Sequence, residues 1–351
     1  MKRLLLITQT VDLDDSVLAF THSWINEFAT NFDKVSVICL REGRHDLKSN
    51  VKVYSLGKEN GVSRIKYLIR FFKYVTTLRN EYDDVFVHMN QVYAILGGLL
   101  WRLWGKKVSL SYVHRQTSIS LYVALQLVDA IFTSSPESFR IKSNKVVYFG
   151  HAIDTDKFRF KESELSLSGS LNLISVGRVT PIKHLEVIID AISILRDSGI
   201  KAFLKIIGSP VYKSDHNYQK VILDKVKKLK LEEQISFVGS VNNNDLPEVY
   251  AKSDISINAC PTGGLDKAVI EAMSSGLISV TSNLAFDSYF GEFKNLLIFE
   301  FGNANSLAEK IIAIKNHEKI ETIRGYLRHV AVEEFDQRKT IKLISDRIKN
   351  L

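Results

Sequence analysis

The chain has 351 residues, 45% of them hydrophobic and 25% charged, with two cysteines and a formal net charge of +8 at pH 7. These are the proportions of an ordinary soluble globular protein, long enough for two domains that each bury a core. A membrane-spanning chain is excluded: the apolar run at 4–7 is far too short for a signal peptide, and no other stretch is apolar enough to cross a bilayer. Cys39 and Cys260 lie in or beside predicted strands without metal-ligand spacing, and read as reduced core thiols of a cytosolic protein. The positive charge favours an anionic partner, whether nucleotide, nucleic acid or membrane surface, without choosing among them.

In the first half, strand-like runs are predicted at 3–8, 34–40, 51–55, 84–88, 107–112, 130–134 and 145–149, with helical patterns at 17–30, 62–79, 92–104 and 118–127. Near-continuous apolar strands alternating with helices predict a parallel sheet covered on both faces. Ligands bind such sheets at the carboxyl ends of the strands, which gives weight to Gln9, Thr10, His88, Asn90, His114, Arg115, Ser134 and Ser135. His114 follows a strand and precedes a polar loop, as an active-site imidazole would; a satisfied loop histidine is the plainer reading. The acidic loop 10–16 reads as a helix start capped by Asp14 or Asp15, in preference to a metal site.

The helix at 64–79, RIKYLIRFFKYVTTLR, carries Ile65, Leu68, Ile69, Phe72 and Val75 as one apolar stripe, widened by Tyr67, Phe71, Tyr74 and Leu78, with Lys66, Arg70 and Lys73 as a basic edge. The stretch 97–107, GGLLWRLWGKK, adds two tryptophans and further cations. A basic helix with an aromatic-rich face resembles an interfacial membrane helix, so an anionic membrane surface is a candidate partner; the alternative is a core-facing helix with a solvated basic edge. The polar stretch 161–170, KESELSLSGS, is the best linker candidate.

From residue 171 the alternation restarts, with strands at 171–176, 202–207, 234–238, 254–258, 277–281 and 295–299 and helices at 182–195, 217–229, 246–251 and 306–314. After the first of these strands, Gly177 permits a tight exit, Arg178 sits on the loop, Pro181 suits a helix start and Lys183 falls in its first turn. Two cations five residues apart at a helix N-terminus are badly placed unless they share an anion, which a diphosphate would be. A second loop, PTGGLDKAVIEAMSSG, offers Gly263 and Gly264 for close backbone approach and Asp266 as a helix cap. One turn into that helix, Glu271 is suited to accept hydrogen bonds from vicinal hydroxyls such as those of a ribose. An ion pair of Lys267 with Glu271 is the plainer alternative, in the weaker lysine-first orientation.

The stretches SVGRVTPIKH, IIGSP, FVGSVNNNDLPEVYAKSDI and GGLDKAVIEAMSSG, with the turn GHAIDTDKF at 150–158, together resemble the retaining, nucleotide-sugar-dependent glycosyltransferases of family four, glycosyl transferases group 1. The resemblance spans most of the chain and is more specific in its second half. It implies an α/β protein of the GT-B fold, two doubly wound Rossmann-like domains facing across a cleft. The expected division is an acceptor domain at 1–160, a linker at 161–170, a nucleotide-sugar donor domain at 171–336, and a last helix at 337–351 crossing back to the first domain.

Carried over by position, the resemblance implies that Arg178 and Lys183 grip the donor diphosphate, with Gly177 beside them. Gly264 and the backbone of Leu265, Asp266 and Lys267 would approach the distal phosphate and sugar. Glu271 would hold the ribose hydroxyls, and Gly208 and Val238 would wall the base pocket. His114 would lie near the donor sugar or the acceptor, and His88, Asn90 and Arg115 on the acceptor side. Two departures stand out: Gly263 occupies the position of the family's first paired glutamate, in a G-G-L-D-K variant, and the usual glycine pair after the first strand is replaced by 10–16. Asp266 is a candidate for part of the missing glutamate's role. Asp154-Thr155-Asp156 spells the D-x-D that holds a metal in a different glycosyltransferase fold, but it falls in the domain-end turn. No metal and no cofactor is expected, since Arg178 and Lys183 supply the charge neutralisation Mg²⁺ would offer.

The implied activity is transfer of a sugar, with retention, from a nucleotide-diphosphate donor to an acceptor hydroxyl. UDP-sugar is the favoured donor and GDP-mannose the next; the acceptor is a glycan or a lipid-linked molecule, and the protein cytoplasmic or peripheral on a membrane. A GT-B-fold sugar-nucleotide epimerase and a non-catalytic sugar-nucleotide-binding scaffold are the alternatives. Nucleic acid is not an expected partner, because the basic residues are dispersed.

Overall fold

The computed structural model describes residues 2–15, 18–114, 116–160, 165, 167, 169–261 and 263–351. Residues 161–164, 166 and 168 of the expected linker, and Arg115, lie outside the described residues. The chain divides into two compact units, Met1–Ala152 with Gln337–Leu351, and Ile153–Asp336.

In the first unit, β1 (Arg3–Val11), β2 (Lys34–Glu42), β3 (Val51–Ser55), β4 (Asp84–His88), β5 (Lys107–Ser111), β6 (Ala130–Thr133) and β7 (Val146–Tyr148) form a parallel sheet in the order 3-2-1-4-5-6-7 among the described residues. The central strands read as apolar runs because both faces are covered; β4 is buried at every position. The connecting helices are α1 (Phe20–Asn31), α2 (Arg64–Thr77), α3 (Gln91–Leu103) and α4 (Ile119–Leu127). Phe71 and Val75 of α2, Tyr93 and Trp101 of α3, and Leu121 and Leu125 of α4 share one core with Leu5, Ile7 and Val87 of the sheet. Trp24 and Phe28 of α1 share the other with Ile341, Ile344 and Ile348 of the C-terminal helix Gln337–Lys349. Thus α2, α3 and α4 lie on one face of the sheet, and α1 and the C-terminal helix on the other.

Ser63, Asn90 and Ser118 cap α2, α3 and α4 by accepting from the backbone N–H of Lys66, Val92 and Leu121. The acidic loop behaves differently from expectation. Helix α1 starts at Phe20 with no side-chain cap, Asp15 accepts from Leu18 N–H at 2.7 Å one turn earlier, and Asp14 instead pairs with Arg44 at 2.7 Å. The single stripe expected on α2 is also split. Phe71 packs on Tyr93 and Trp101, with ring centroids 5.3 and 6.2 Å away, which turns Phe71, Val75 and Leu78 inward and leaves Ile65, Leu68 and Ile69 exposed.

In the second unit, β8 (Leu171–Val176), β9 (Ala202–Ile207), β10 (Ile235–Gly239), β11 (Ile255–Asn258) and β12 (Ile278–Thr281) form a parallel sheet in the order 10-9-8-11-12 among the described residues. Around it run α5 (Leu185–Asp197), α6 (Lys213–Lys228), α7 (Leu246–Ala251), α8 (Lys267–Ser274), α9 (Asp287–Phe290), α10 (Lys294–Leu297), α11 (Ala304–Lys315) and α12 (Ile320–Phe335). Three expectations are corrected here. The strand expected at 295–299 is mostly α10, because among the described residues the sheet past β12 offers one bridge, Thr281 to Ile298. Helix α12 was not expected. Its apolar spacing is interrupted by Arg324, which is buried because its Nε donates to the Gly276 carbonyl at 2.7 Å and its Nη1 to Glu321 at 2.7 Å. Finally, 181–183 is a 3₁₀ turn and α5 begins only at Leu185, because His184 turns left-handed at φ 45°.

Candidate nucleotide-binding end of the second unit

Three glycines stand at the carboxyl ends of neighbouring strands: Gly177 after β8, Gly208 after β9 and Gly239 closing β10. All have positive φ, and the chain turns so tightly that a Cβ on Gly208 would lie 2.0 Å from the Gly177 carbonyl oxygen. A Cβ on Gly177 would lie 2.7 Å from Cε of Lys183, so the missing side chain leaves room for that lysine to lie across the strand exit. Arg178, beside it, is exposed, and its charge reaches Asp215 near the start of α6. Val238 is exposed on β10.

Helix α8 brings the second loop to the same strand ends. Asp266 caps α8 as expected, with Oδ1 accepting from Ala268 N–H at 3.2 Å. Its Oδ2 accepts from Asn258 Nδ2 at 2.8 Å and forms an ion pair with Lys183 Nζ. The two charges settle each other. Burial would lower the Lys183 ammonium, but Asp266 holds it above the ordinary lysine range; burial would raise the Asp266 carboxyl, but Lys183 and the donors from Asn258 and Ala268 hold it below its usual value. Contrary to expectation, Lys183 therefore does not need an exogenous anion: Asp266 is its anion in this structure. The Cys260 thiol lies 3.7 Å from the same carboxylate, and burial pushes it up.

Lys267 and Glu271, which the sequence offered as an ion pair in place of a ribose contact, lie one turn apart on α8, and each charge acts on the other. Burial lowers Lys267 to about 8 against the pull of Glu271, and raises Glu271 to about 7 against the pull of Lys267. The phenol of Tyr250 lies 3.3 Å from Glu271 Oε2 and is pushed well above its usual value, first by burial and then by that carboxylate. A carboxylate beside a hydroxyl one turn into α8 has lone pairs left to accept from further hydroxyl donors.

The glycine loop is held by Asn283, which follows β12. Its Oδ1 accepts from Gly263 N–H at 3.3 Å and its Nδ2 donates to the Gly264 carbonyl at 3.0 Å. The Gly263 N–H is thus already engaged, while Leu265 turns into the core. In the domain-end turn, Asp154 accepts from Lys157 N–H at 3.0 Å and Thr155 bonds the Asp336 carboxylate. Among the described residues, no group of three or more His, Cys, Asp or Glu could hold a metal ion.

The first unit's candidates are placed differently. His88, at the end of β4, is buried, with Nδ1 3.1 Å from Thr8 Oγ1 and its ring 5.2 Å from that of Trp24. Asn90 spends its side-chain oxygen on Val92 N–H at 3.1 Å as the α3 cap. His114 is exposed beside the Tyr112 ring at 5.4 Å, and shielding by the surrounding chain holds its imidazole below the ordinary histidine value.

Residues 156–326 match the family model described as glycosyl transferases group 1. The matched segment begins in the domain-end turn and runs into α12, so it lies within the second unit. Over 197 residues the chain is 28% identical to spore coat protein SA of Bacillus subtilis, covering 54% of this chain and about half, 51%, of that relative's length. Over 319 residues it is 22% identical to the Escherichia coli UDP-Gal:alpha-D-GlcNAc-diphosphoundecaprenol alpha-1,3-galactosyltransferase, covering 81% of this chain and 79% of that one. The crystal structure of Anabaena HepE in complex with UDP is similar with a TM-score of 0.79 and 17% identity, over 100% of both chains. The fold is GT-B.

The segment that matches the family model contains Arg178, Lys183, Asp266, Lys267 and Glu271, and adds residues that the spacing did not single out: Asn258, Tyr250, Asn283 and Lys157. Lys157, whose charge also reaches Glu271, is lowered by burial while its ammonium bonds Asn243 and Asn244. Asn258 could have been found: a polar side chain closing the strand run ISIN has little reason to be buried unless it is bonded.

Proposed function

We propose that the chain is a retaining glycosyltransferase that moves a sugar from a nucleotide-diphosphate donor, UDP-sugar first, to an acceptor hydroxyl on a glycan or lipid-linked molecule. The observation that carries this reading is the meeting of Lys183, Asp266 and Asn258 past the ends of β8 and β11, with Glu271 one turn further along α8, within the segment that matches the family model. Lys183 and Arg178 would meet the diphosphate, and Glu271 the ribose hydroxyls. Rate enhancement would come from positioning the donor and from fixed positive charge that strengthens its hold as the diphosphate departs, without a bound metal. That HepE is complexed with UDP and with UDP-glucose, and that the E. coli relative is named for UDP-Gal, supports uridine as the base over guanosine.

Gly263 at the position of the family's first glutamate favours a second reading, a sugar-nucleotide-binding scaffold without turnover; an epimerase of the same fold would bind the same donor and need no acceptor. A thermal-shift panel of UDP, GDP, ADP and their sugar conjugates separates these, followed by an assay of nucleotide release with and without acceptor. A ligand at about a hundred times its Kd stabilises the fold by roughly 2.7 kcal/mol. The transferase reading expects a response to UDP that is lost in Lys183→Ala and Glu271→Ala, and release that depends on acceptor. Binding without release leaves the scaffold, and silence toward every nucleotide overturns the donor site.

A further inference from the structure

Helices α2, α3 and α4 pack side by side over one face of the first unit's sheet, and they carry Arg64, Lys66, Arg70, Lys73 and Arg102 with no aspartate or glutamate. Their outer surface is unusually apolar. Ile65 is 72% exposed, Ile69 63%, Leu99 65%, Leu103 80% and Ile119 85%, with Tyr122 and Val123 exposed beside Ile119. The core does not account for these side chains, since Phe71, Val75, Tyr93, Trp101 and Leu121 already fill the inward faces of the same helices. Arg70 is engaged, its Nη1 donating to the Leu56 carbonyl at 3.0 Å, while Arg64, Lys66, Lys73 and Arg102 point to solvent. The opposite face of the same sheet is the internal comparison. On α1 and the C-terminal helix Leu343 is the one exposed large hydrophobic among the described residues, and acids (Glu27 and Asp346) are interleaved with the cations.

We propose that the outer surface of α2, α3 and α4 docks on the headgroup region of an anionic lipid bilayer. Exposed isoleucine and leucine tips flanked by cations suit the boundary between headgroups and acyl chains, where apolar burial and attraction to anionic lipid act together. The charge pattern selects this occupant over a second copy of the chain, because a two-fold interface would set one all-cationic surface against another. No helix among the described residues is long and apolar enough to cross a membrane, so attachment is to the surface and reversible.

The test is co-sedimentation of the full chain with vesicles of equimolar phosphatidylglycerol and phosphatidylcholine, and of phosphatidylcholine alone. Binding to the mixed vesicles is expected, with little binding to the neutral ones and a steep loss as salt rises. Lys66→Gln with Lys73→Gln should cut the partition constant about thirtyfold, since each basic residue near such a surface is worth about fivefold. Ile69→Ser with Leu103→Ser should weaken binding at every salt concentration, and Leu343→Ser should leave it unchanged. All these side chains are exposed, so the variants fold; an unchanged circular dichroism spectrum and unchanged thermal unfolding of the nucleotide-free protein verify this and keep the test separate from the donor-site assignment. Wild-type protein that ignores the mixed vesicles overturns the proposal. So does a wild-type dimer in sedimentation that Ile69→Ser with Leu103→Ser dissociates, since the face would then be an interface between copies.

Discussion

Lys183 and Asp266 sit 83 residues apart in sequence and share an ion pair at the strand ends, with 18% and 21% of their side chains exposed. If Asp266 is the resident counter-ion that an incoming diphosphate relieves, Asp266→Asn and Lys183→Ala should part company. Asparagine still caps α8, but it leaves Lys183 without compensation, at a cost near the low end of the roughly 3–5 kcal/mol typical of broken buried pairs. UDP should restore the lost charge balance, so its stabilising effect in thermal-shift measurements should grow in Asp266→Asn and vanish in Lys183→Ala. An equal loss in both would make Asp266 part of the donor grip instead. Lys183→Ala should also cut turnover by several orders of magnitude, and a change below about threefold would remove that lysine from catalysis. Glu271 makes a second prediction, in pH. Burial raises it to about 7 from an ordinary 4.5, so the folded state keeps a proton that the unfolded chain gives up. Its contribution to stability is then complete below the unfolded value and lost as pH rises through about 7. Urea midpoints of the wild type should therefore fall between pH 5 and 7 by more than those of Glu271→Gln, by roughly 1–3 kcal/mol in free energy. Parallel profiles would show that Glu271 is ionised throughout.

The glycine exits of β8, β9 and β10 make the prediction at the level of elements. Gly208→Ala places a Cβ 2.0 Å from a backbone oxygen of the neighbouring exit, which cannot move without moving β8. Gly302→Ala, at a φ of 78° with nothing within 4 Å, isolates the backbone strain alone. The second variant should lose about 1–2 kcal/mol. The first should lose clearly more, together with the UDP response. Equal urea midpoints would mean that the close approach of the two turns contributes nothing. These exits also show what the chain discloses before folding. The strands were legible because parallel strands covered on both faces must be apolar runs, and Gly177 and Gly208 were legible as breaks at their ends. The partner of Lys183 was not, since no spacing rule connects a loop after β8 to a cap on α8. Helix α12 was hidden for a related reason: Arg324, tied to Gly276 and Glu321 from inside the helix, looks like a solvent residue until its partners are known. The strand expected at 295–299 failed over most of its length because just its end reaches the β12 edge: Ile298 bridges Thr281, and Phe299 N–H donates to the Thr281 carbonyl at 3.1 Å.

For the molecule as a whole, each unit has a core of its own. Lys183, Asp266 and Glu271 all belong to the unit Ile153–Asp336, whereas the C-terminal helix inserts Ile341, Ile344 and Ile348 into the core of Met1–Ala152. A nucleotide held by the second unit therefore adds its binding free energy to that unit's unfolding and to no other. Differential scanning calorimetry should resolve two transitions, as is usual for chains of two cores. UDP at about a hundred times its Kd should move one of them, by the equivalent of roughly 2.7 kcal/mol, and leave the other in place. Ile344→Ala, which opens a cavity against Phe28 and its neighbours, should do the converse: it should lower the UDP-insensitive transition at a cost of about 2–5 kcal/mol and spare the other. A single transition that moves as one with either perturbation would show that the two cores unfold as one cooperative body. Nucleotide in the second unit would then stabilise the basic, apolar-faced helices of the first as well, and membrane attachment and donor occupancy would be thermodynamically linked.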